Sequence, residues 1–237
     1  MVAALLGDLA DLVLPGACAG CGAERVRLRC GACARCAAVL EALRPFRTTP
    51  RPRPPGMPPC VAVGPYAGEL RAALLAYKER GRHSLARPLG SLLAAAVAEL
   101  APKGAPVLLV PVPSTAAAIR ERHGDHMARL TAHAVRRLRH AGWRADLSRL
   151  LRASPRPDSA SLSVAERAAA AESSLRIRPA RIVVPRRATP EKRTLVVVDD
   201  IVTTGATLAA VTGRLREANV QVTGAAVLAA TRLRKSS

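Results

Sequence analysis

The 237-residue sequence predicts an α/β fold, a mainly parallel sheet flanked by helices, with a small Cys-rich module ahead of it. Three observations lead there. Short unbroken apolar runs, "VLLV" (107–110) and "LVVV" (195–198), suit strands buried on both faces of a parallel sheet. Stretches of helical periodicity lie between such runs. Five of the six cysteines crowd into residues 18–36, upstream of the Pro-rich stretch "RPFRTTPRPRPPGMPP" (44–59).

The N-terminus, "MVAALLGDLADLVLPG", has the spacing of an amphipathic helix, with Leu5, Leu9, Leu12 and Val13 on one side. It lacks a basic start, and Asp8 and Asp11 interrupt its apolar character, so it does not read as a secretory signal. After the cysteines, "AAVLEAL" (37–43) reads as a helix, and the Pro-rich stretch as an extended linker. The expected division is therefore 1–43 for the N-terminal helix and Cys module, 44–59 for the linker, and 60–237 for the α/β domain.

In that domain "CVAVGPY" (60–66) predicts a strand, and "GELRAALLAYKERG" a helix with Leu70, Leu74, Leu75 and Tyr77 clustered. Residues 84–100 predict a further helix, and 107–110 a strand leading into "PVPST". An Arg-rich helical stretch follows over 117–142, then a long polar loop over 152–168. Apolar runs at 181–184, 195–198 and 222–230 predict strands. Residues 206–218 predict a helix with Leu208, Val211, Leu215 and Ala218 inward.

Composition excludes some functions and leaves others open. No apolar run reaches the roughly 18–20 residues of a spanning helix, so membrane insertion is not expected and a cytoplasmic location is. The formal charge of +20 invites a polyanion partner such as single-stranded DNA. Yet Lys occurs only at positions 78, 103, 192 and 235, and the Arg-rich, Ala-rich composition is what a GC-rich coding sequence yields. Both readings of the charge stay open.

Cys18-x2-Cys21 and Cys33-x2-Cys36 are two chelating pairs with the spacing of a structural zinc site, and Cys30 is an alternative ligand. Four thiolates fill a tetrahedron and leave no open position, so the expected Zn2+ is structural.

The densest chemistry lies in "LVVVDDIVTTGATL" (195–208). Ligands of open parallel sheets bind beyond the carboxyl ends of strands, where Asp199 and Asp200 stand as paired acceptors. Thr203, Thr204, Gly205, Ala206 and Thr207 follow, offering hydroxyls and backbone N–H groups at a helix start, a cradle for phosphate. Acceptors for a vicinal diol beside a phosphate cradle describe a ribose 5-phosphate site. His123, Asp125 and His126, flanked by Arg on a helical stretch, read as solvated surface residues rather than a second metal site.

The run resembles the phosphoribosyl-pyrophosphate (PRPP) signature of type I phosphoribosyltransferases. The Cys cluster, "PYAGELRAALLAYKERG", "VPVPS" and the signature, in that order, resemble the ComF family of competence-associated phosphoribosyltransferase-like proteins. The resemblance implies PRPP bound with Mg2+, ribose hydroxyls on Asp199 and Asp200, 5-phosphate on residues 203–207, and pyrophosphate on the loop with Pro113 and Ser114. It makes Lys78 a candidate anion contact and Arg167, in "LSVAER", a candidate phosphate or transition-state contact, so that Asp199, Asp200, Arg167 and Lys78 form the candidate catalytic set. It implies transfer or recognition of the phosphoribosyl group, with a role in DNA uptake beside competence proteins. The alternative is a non-catalytic accessory protein binding nucleotide or single-stranded DNA. An oligomer is compatible with either. Where many relatives carry Arg-Gly-Phe-Asn-Gln, this chain has Arg122-His123-Gly124-Asp125-His126, and it carries Ser159 and Ala170 at two further loop positions.

Overall fold

The computed structural model describes residues 16–102, 104–154, 175–178 and 194–231. The expected N-terminal helix, the strand at 181–184, and Arg167, Ser159 and Ala170 lie outside these residues.

A two-stranded ribbon, β1 (Leu28–Arg29) and β2 (Ala32–Cys33), leads into α1 (Ala34–Glu41). The main sheet contains β3 (Phe46–Thr48), β4 (Cys60–Pro65), β5 (Val107–Pro111), β6 (Ala145–Leu147), β9 (Thr194–Val202) and β10 (Gly224–Ala230), in spatial order β3-β4-β10-β9-β5-β6. All neighbours run parallel except β3, which pairs antiparallel with β4. The helices are α2 (Gly68–Glu79), α3 (Ala86–Ala98) after a 3-10 turn, α4 (Ala116–Glu121), α5 (His126–His140) and α6 (Ala206–Glu217). A separate antiparallel pair joins β7 (Leu151–Ala153) to β8 (Leu175–Ile177).

Strand alternation divides the core. Val61, Val63, Leu109, Val196, Val198 and Leu228 meet Leu74, Tyr77, Leu89, Leu93 and Leu130 of α2, α3 and α5. Ala62, Val110, Leu195, Val197 and Val227 face Leu208, Val211 and Leu215 of α6, with Leu151 and Leu175 of the small pair. Both faces are covered, which is why these strands read as continuous apolar runs.

Small residues replace aromatics in this core, and Gly90 on α3 shows how closely elements approach. A Cβ there would lie 2.5 Å from the His133 Cβ and 3.0 Å from the Leu130 carbonyl oxygen on α5. Gly90→Ala must separate the two helices, so it is expected to cost about 1–3 kcal/mol, read as a lower denaturant midpoint at unchanged slope.

Three differences from the sequence reading have clear causes. The Pro-rich stretch supplies β3, an edge strand that needs only three residues and tolerates flanking prolines. The helical stretch over 117–142 is two helices, because His123 (φ 51°) and Gly124 (φ 140°) reverse the chain and the Asp125 side chain accepts a bond from Ala128 N–H to cap α5. The loop expected from residue 152 begins inside β7, which Leu151 pins to the second core face.

Candidate functional site

Topology opens the site. After β5 the chain crosses to the first face through α5, whereas after β9 it crosses to the second through α6. β5 and β9 are neighbours, so their carboxyl ends part where the crossovers diverge. β5 ends at Pro111, opposite Val198. Beyond that register β9 continues to Val202 with β10 on one side only, leaving Asp199 and Asp200 beside a gap. The paired aspartates thus lie within β9, Asp199 three and Asp200 two residues short of its end, because β10 extends equally far.

The gap is a cleft of about 410 Å³. Asp199, Asp200, Thr203 and Thr207 line it from β9 and the following loop, Pro113 and Ser114 from the loop after β5, and Lys78 from the last turn of α2. Thr204, Gly205 and Ala206 shape a smaller hollow of about 30 Å³ that also touches Asp199 and Thr203. All described members of the expected ligand set, from 78 to 207, therefore surround one opening or its annex.

Adjacent strand residues point to opposite faces, and this splits the acidic pair. Asp200, buried, lies on the side of α2 and α5: Lys78 Nζ is 2.7 Å and His126 Nε2 3.5 Å from its Oδ2. The Lys78 contact is an ion pair without a well-aligned hydrogen bond, so this oxygen keeps hydrogen-bonding capacity. Burial acts to raise the Asp200 carboxyl, but His126 and the Lys78 ammonium outweigh it and hold it below the usual range. Asp199 is half-buried and its Oδ1 accepts the Asp200 N–H at 2.9 Å. Burial and the Asp200 charge push it well above the usual range. One carboxylate is thus held ionised and its neighbour is held towards protonation.

Sequence reasoning missed His126. Expected on the surface, it is buried, edge-on to Tyr77 with ring centroids 6.4 Å apart, and Tyr77 O–H donates to its carbonyl oxygen at 2.7 Å. His123 is exposed, as expected, and Asp125 serves as the α5 cap. The missed signal was "GD" at 124–125, a chain reversal followed by a capping residue. Arg122 and Tyr66 also line the cleft, and neither was assigned a role from sequence.

Gly205 shapes the loop between β9 and α6. It opens α6 at φ 78° without a side-chain cap of its own, and Ala206 N–H donates to Thr204 Oγ1 at 3.4 Å. The Thr207 and Leu208 N–H groups that follow precede the first intrahelical bond, Ala209 N–H to the Gly205 carbonyl, and face no intrahelical acceptor. A Cβ on Gly205 would lie 2.5 Å from Met57 Sδ and 3.3 Å from Pro50 Cγ, so the Pro-rich segment also packs beneath the loop. Gly205→Ala is expected to cost about 1–3 kcal/mol through strain and overpacking, measurable by denaturation, and to weaken anion binding at the loop.

In the N-terminal module the Sγ atoms of Cys18, Cys21, Cys33 and Cys36 all lie within 4.8 Å of one another. A tetrahedral Zn–S bond of about 2.3 Å places sulfurs roughly 3.8 Å apart, and Cys21 and Cys33 are separated by 3.8 Å. Cys33 N–H donates to Cys18 Sγ at 3.2 Å. Burial opposes ionisation of Cys18, but backbone N–H groups of Cys21, Cys33 and Gly20 pull it down to about 6; burial and the other sulfurs push Cys36 up to about 12. Gly20 is obligatory here, since a Cβ would lie 2.7 Å from Cys36 Sγ. The donor set, spacing and mutual repulsion of these sulfurs fit a structural metal ion. Cys30, at φ 51°, lies outside the four-sulfur group.

Residues 148–236 match the family model for the phosphoribosyl transferase domain. The match covers the C-terminal part of the α/β domain. The match contains β9, the acidic pair and the whole 203–207 loop. The loop after β5, Lys78, His126 and the Cys module precede it in the chain. No similar protein was found among curated sequences. Among the described residues no helix is long and apolar enough to cross a membrane.

Proposed function

We propose that the cleft binds PRPP together with Mg2+ and serves transfer of the phosphoribosyl group to a nitrogen nucleophile, in a protein of ComF type. The observation that carries this reading is convergence. Diol acceptors (Asp199, Asp200), Thr203 and Thr207 of the phosphate cradle and a second anion loop (Pro113, Ser114) face one cleft of about 410 Å³, a size suited to a small ligand. Thr204, Gly205 and Ala206 line the hollow beside it. In this reading Asp200, already ionised, accepts the ribose hydroxyls with Asp199. The N–H groups at the start of α6 take the 5-phosphate, and Lys78 stands within reach of the pyrophosphate side. Mg2+ would be held from the side of Asp199 and Asp200 and, with the Lys78 ammonium, would offset negative charge on the departing pyrophosphate. The chain's own contribution is placement and electrostatics rather than covalent chemistry.

Zn2+ is the ion proposed for the four sulfurs. A place in DNA uptake, with competence proteins as partners and a cytoplasmic site of action, follows from the ComF resemblance. The charge of +20 favours a second reading, an accessory module that binds single-stranded DNA and retains PRPP as a ligand without turnover. Pyrophosphate release across a panel of bases and amines, with PRPP and Mg2+ present, separates the two. Release with at least one acceptor is expected. Its absence under all conditions, together with salt-sensitive retention of single-stranded DNA, would select the accessory role.

A further inference from the structure

A second pocket, of about 220 Å³, shares residues 112–114 with the cleft but is lined otherwise by different side chains. Arg149, Arg152 and Arg178 reach it from the β7–β8 pair and its approach. Its floor is apolar, formed by Val112, Ile119 and Leu151. The acid lining it, Asp125, is committed: Oδ1 accepts Ala128 N–H at 3.0 Å and Oδ2 lies 3.8 Å from Arg149. Three guanidinium groups therefore face one carboxylate. Among the described residues neither Arg152 nor Arg178 has an ion-pair partner.

We propose that this pocket is a second anion site, for a phosphate monoester with a compact apolar or aromatic body. Guanidinium forks match phosphate oxygens, and the charge excess at a concave, low-dielectric floor concentrates the local field. A free phosphate ion would leave the apolar floor unused, and so would any ligand that is all charge. The pocket shares the wall of Val112, Pro113 and Ser114 with the cleft, but its three arginines do not line the cleft.

AMP is the test ligand. It is titrated calorimetrically into the full chain carrying Asp199→Asn/Asp200→Asn, which weakens the cleft's hold on its ribose, and the arginine substitutions then separate the two sites. Saturable 1:1 binding is expected, tighter than that of inorganic phosphate. Adding Arg152→Ala/Arg178→Ala should weaken it at least tenfold, because two charge-assisted hydrogen bonds are lost. Arg152→Lys/Arg178→Lys should restore part of the affinity. These arginines are exposed, so melting temperatures should change little. No AMP binding, equal affinity for AMP and inorganic phosphate, or AMP binding indifferent to the Arg substitutions would each overturn the proposal. So would an arginine-dependent oligonucleotide complex that forms while AMP does not bind. PRPP titration of the unaltered chain reports separately on the cleft.

Discussion

Replacing both Asp199 and Asp200 with Asn is expected to weaken PRPP binding by about 10²- to 10⁴-fold in the presence of Mg2+. With Mg2+ and the ribose hydroxyls in place to favour the ionised form of Asp199 as well, each carboxylate supplies a charge-assisted hydrogen bond worth roughly 1.5–3 kcal/mol, and 1.4 kcal/mol is tenfold in affinity. Asn keeps the volume but halves the acceptor capacity and removes the charge. Calorimetric titration measures the effect, and equal affinity of variant and parent would remove the basis for the ribose assignment. The single variants separate binding from stability, because the two carboxylates titrate in opposite directions. Asp199 is raised on folding, so its ionisation penalises the native state increasingly as pH climbs above its unfolded value, near 4. Asp199→Asn removes that penalty and should raise the melting temperature at pH 7. Asp200 is lowered, so its contribution is present above the unfolded value and is lost as pH falls through the folded one. Asp200→Asn should lower the melting temperature at pH 7, by less in acid. Shifts of the same sign for both variants would contradict the partition around Lys78 and His126.

What could be read from the sequence follows from how each signal is encoded. β9 lies between two neighbours with both faces covered, so Leu195 to Val198 are apolar without interruption, and the first charge after them marks the ligand edge. The Cys pairs are local, since each turn of a metal knuckle is complete within four residues. Arrangements that depend on distant partners were hidden. β7 and β8 are three residues each and pair across more than twenty residues of chain, so neither has a periodicity to recognise. Phe46–Thr48 is a strand only because β4 offers an edge. His126 was misjudged because its burial depends on the reversal at His123 and Gly124; a continuous helix through 117–142 would have distributed those polar residues over a solvated face. The half of the cleft built on one segment, 199–207, was therefore legible. Lys78 on α2 and the Pro113–Ser114 loop came from the family resemblance, and the half contributed by α5 and the turn before it required the fold.

Removing the zinc proposed for the four sulfurs is expected to unfold the N-terminal module and to reach the α/β domain through its packing. Structural zinc contributes about 10–16 kcal/mol of apparent binding free energy in zinc-finger peptides, far more than a hairpin and one helix retain without it. Cys18, Ala32, Cys33 and Cys36 form their own small cluster, with little else to hold it together. Yet Ala19 and Leu40 belong to the main core, Arg35 lies 3.9 Å from Glu69 on α2, and a Cβ on Gly31 would lie 3.2 Å from Ser84 Oγ. The module therefore rests against α2, the helix whose last turn holds Lys78 at the cleft. Chelation should make residues 16–43 the first site of proteolysis and lower the melting temperature of the whole chain. Metal analysis assigns the ligands: the parent should carry about one zinc per chain, Cys18→Ser and Cys36→Ser should lose it, and Cys30→Ser should keep it. Zinc retained by Cys36→Ser and lost by Cys30→Ser would transfer the fourth position to Cys30, and the chain from 30 to 33 would then have to abandon the ribbon turn that places Cys30 at positive φ.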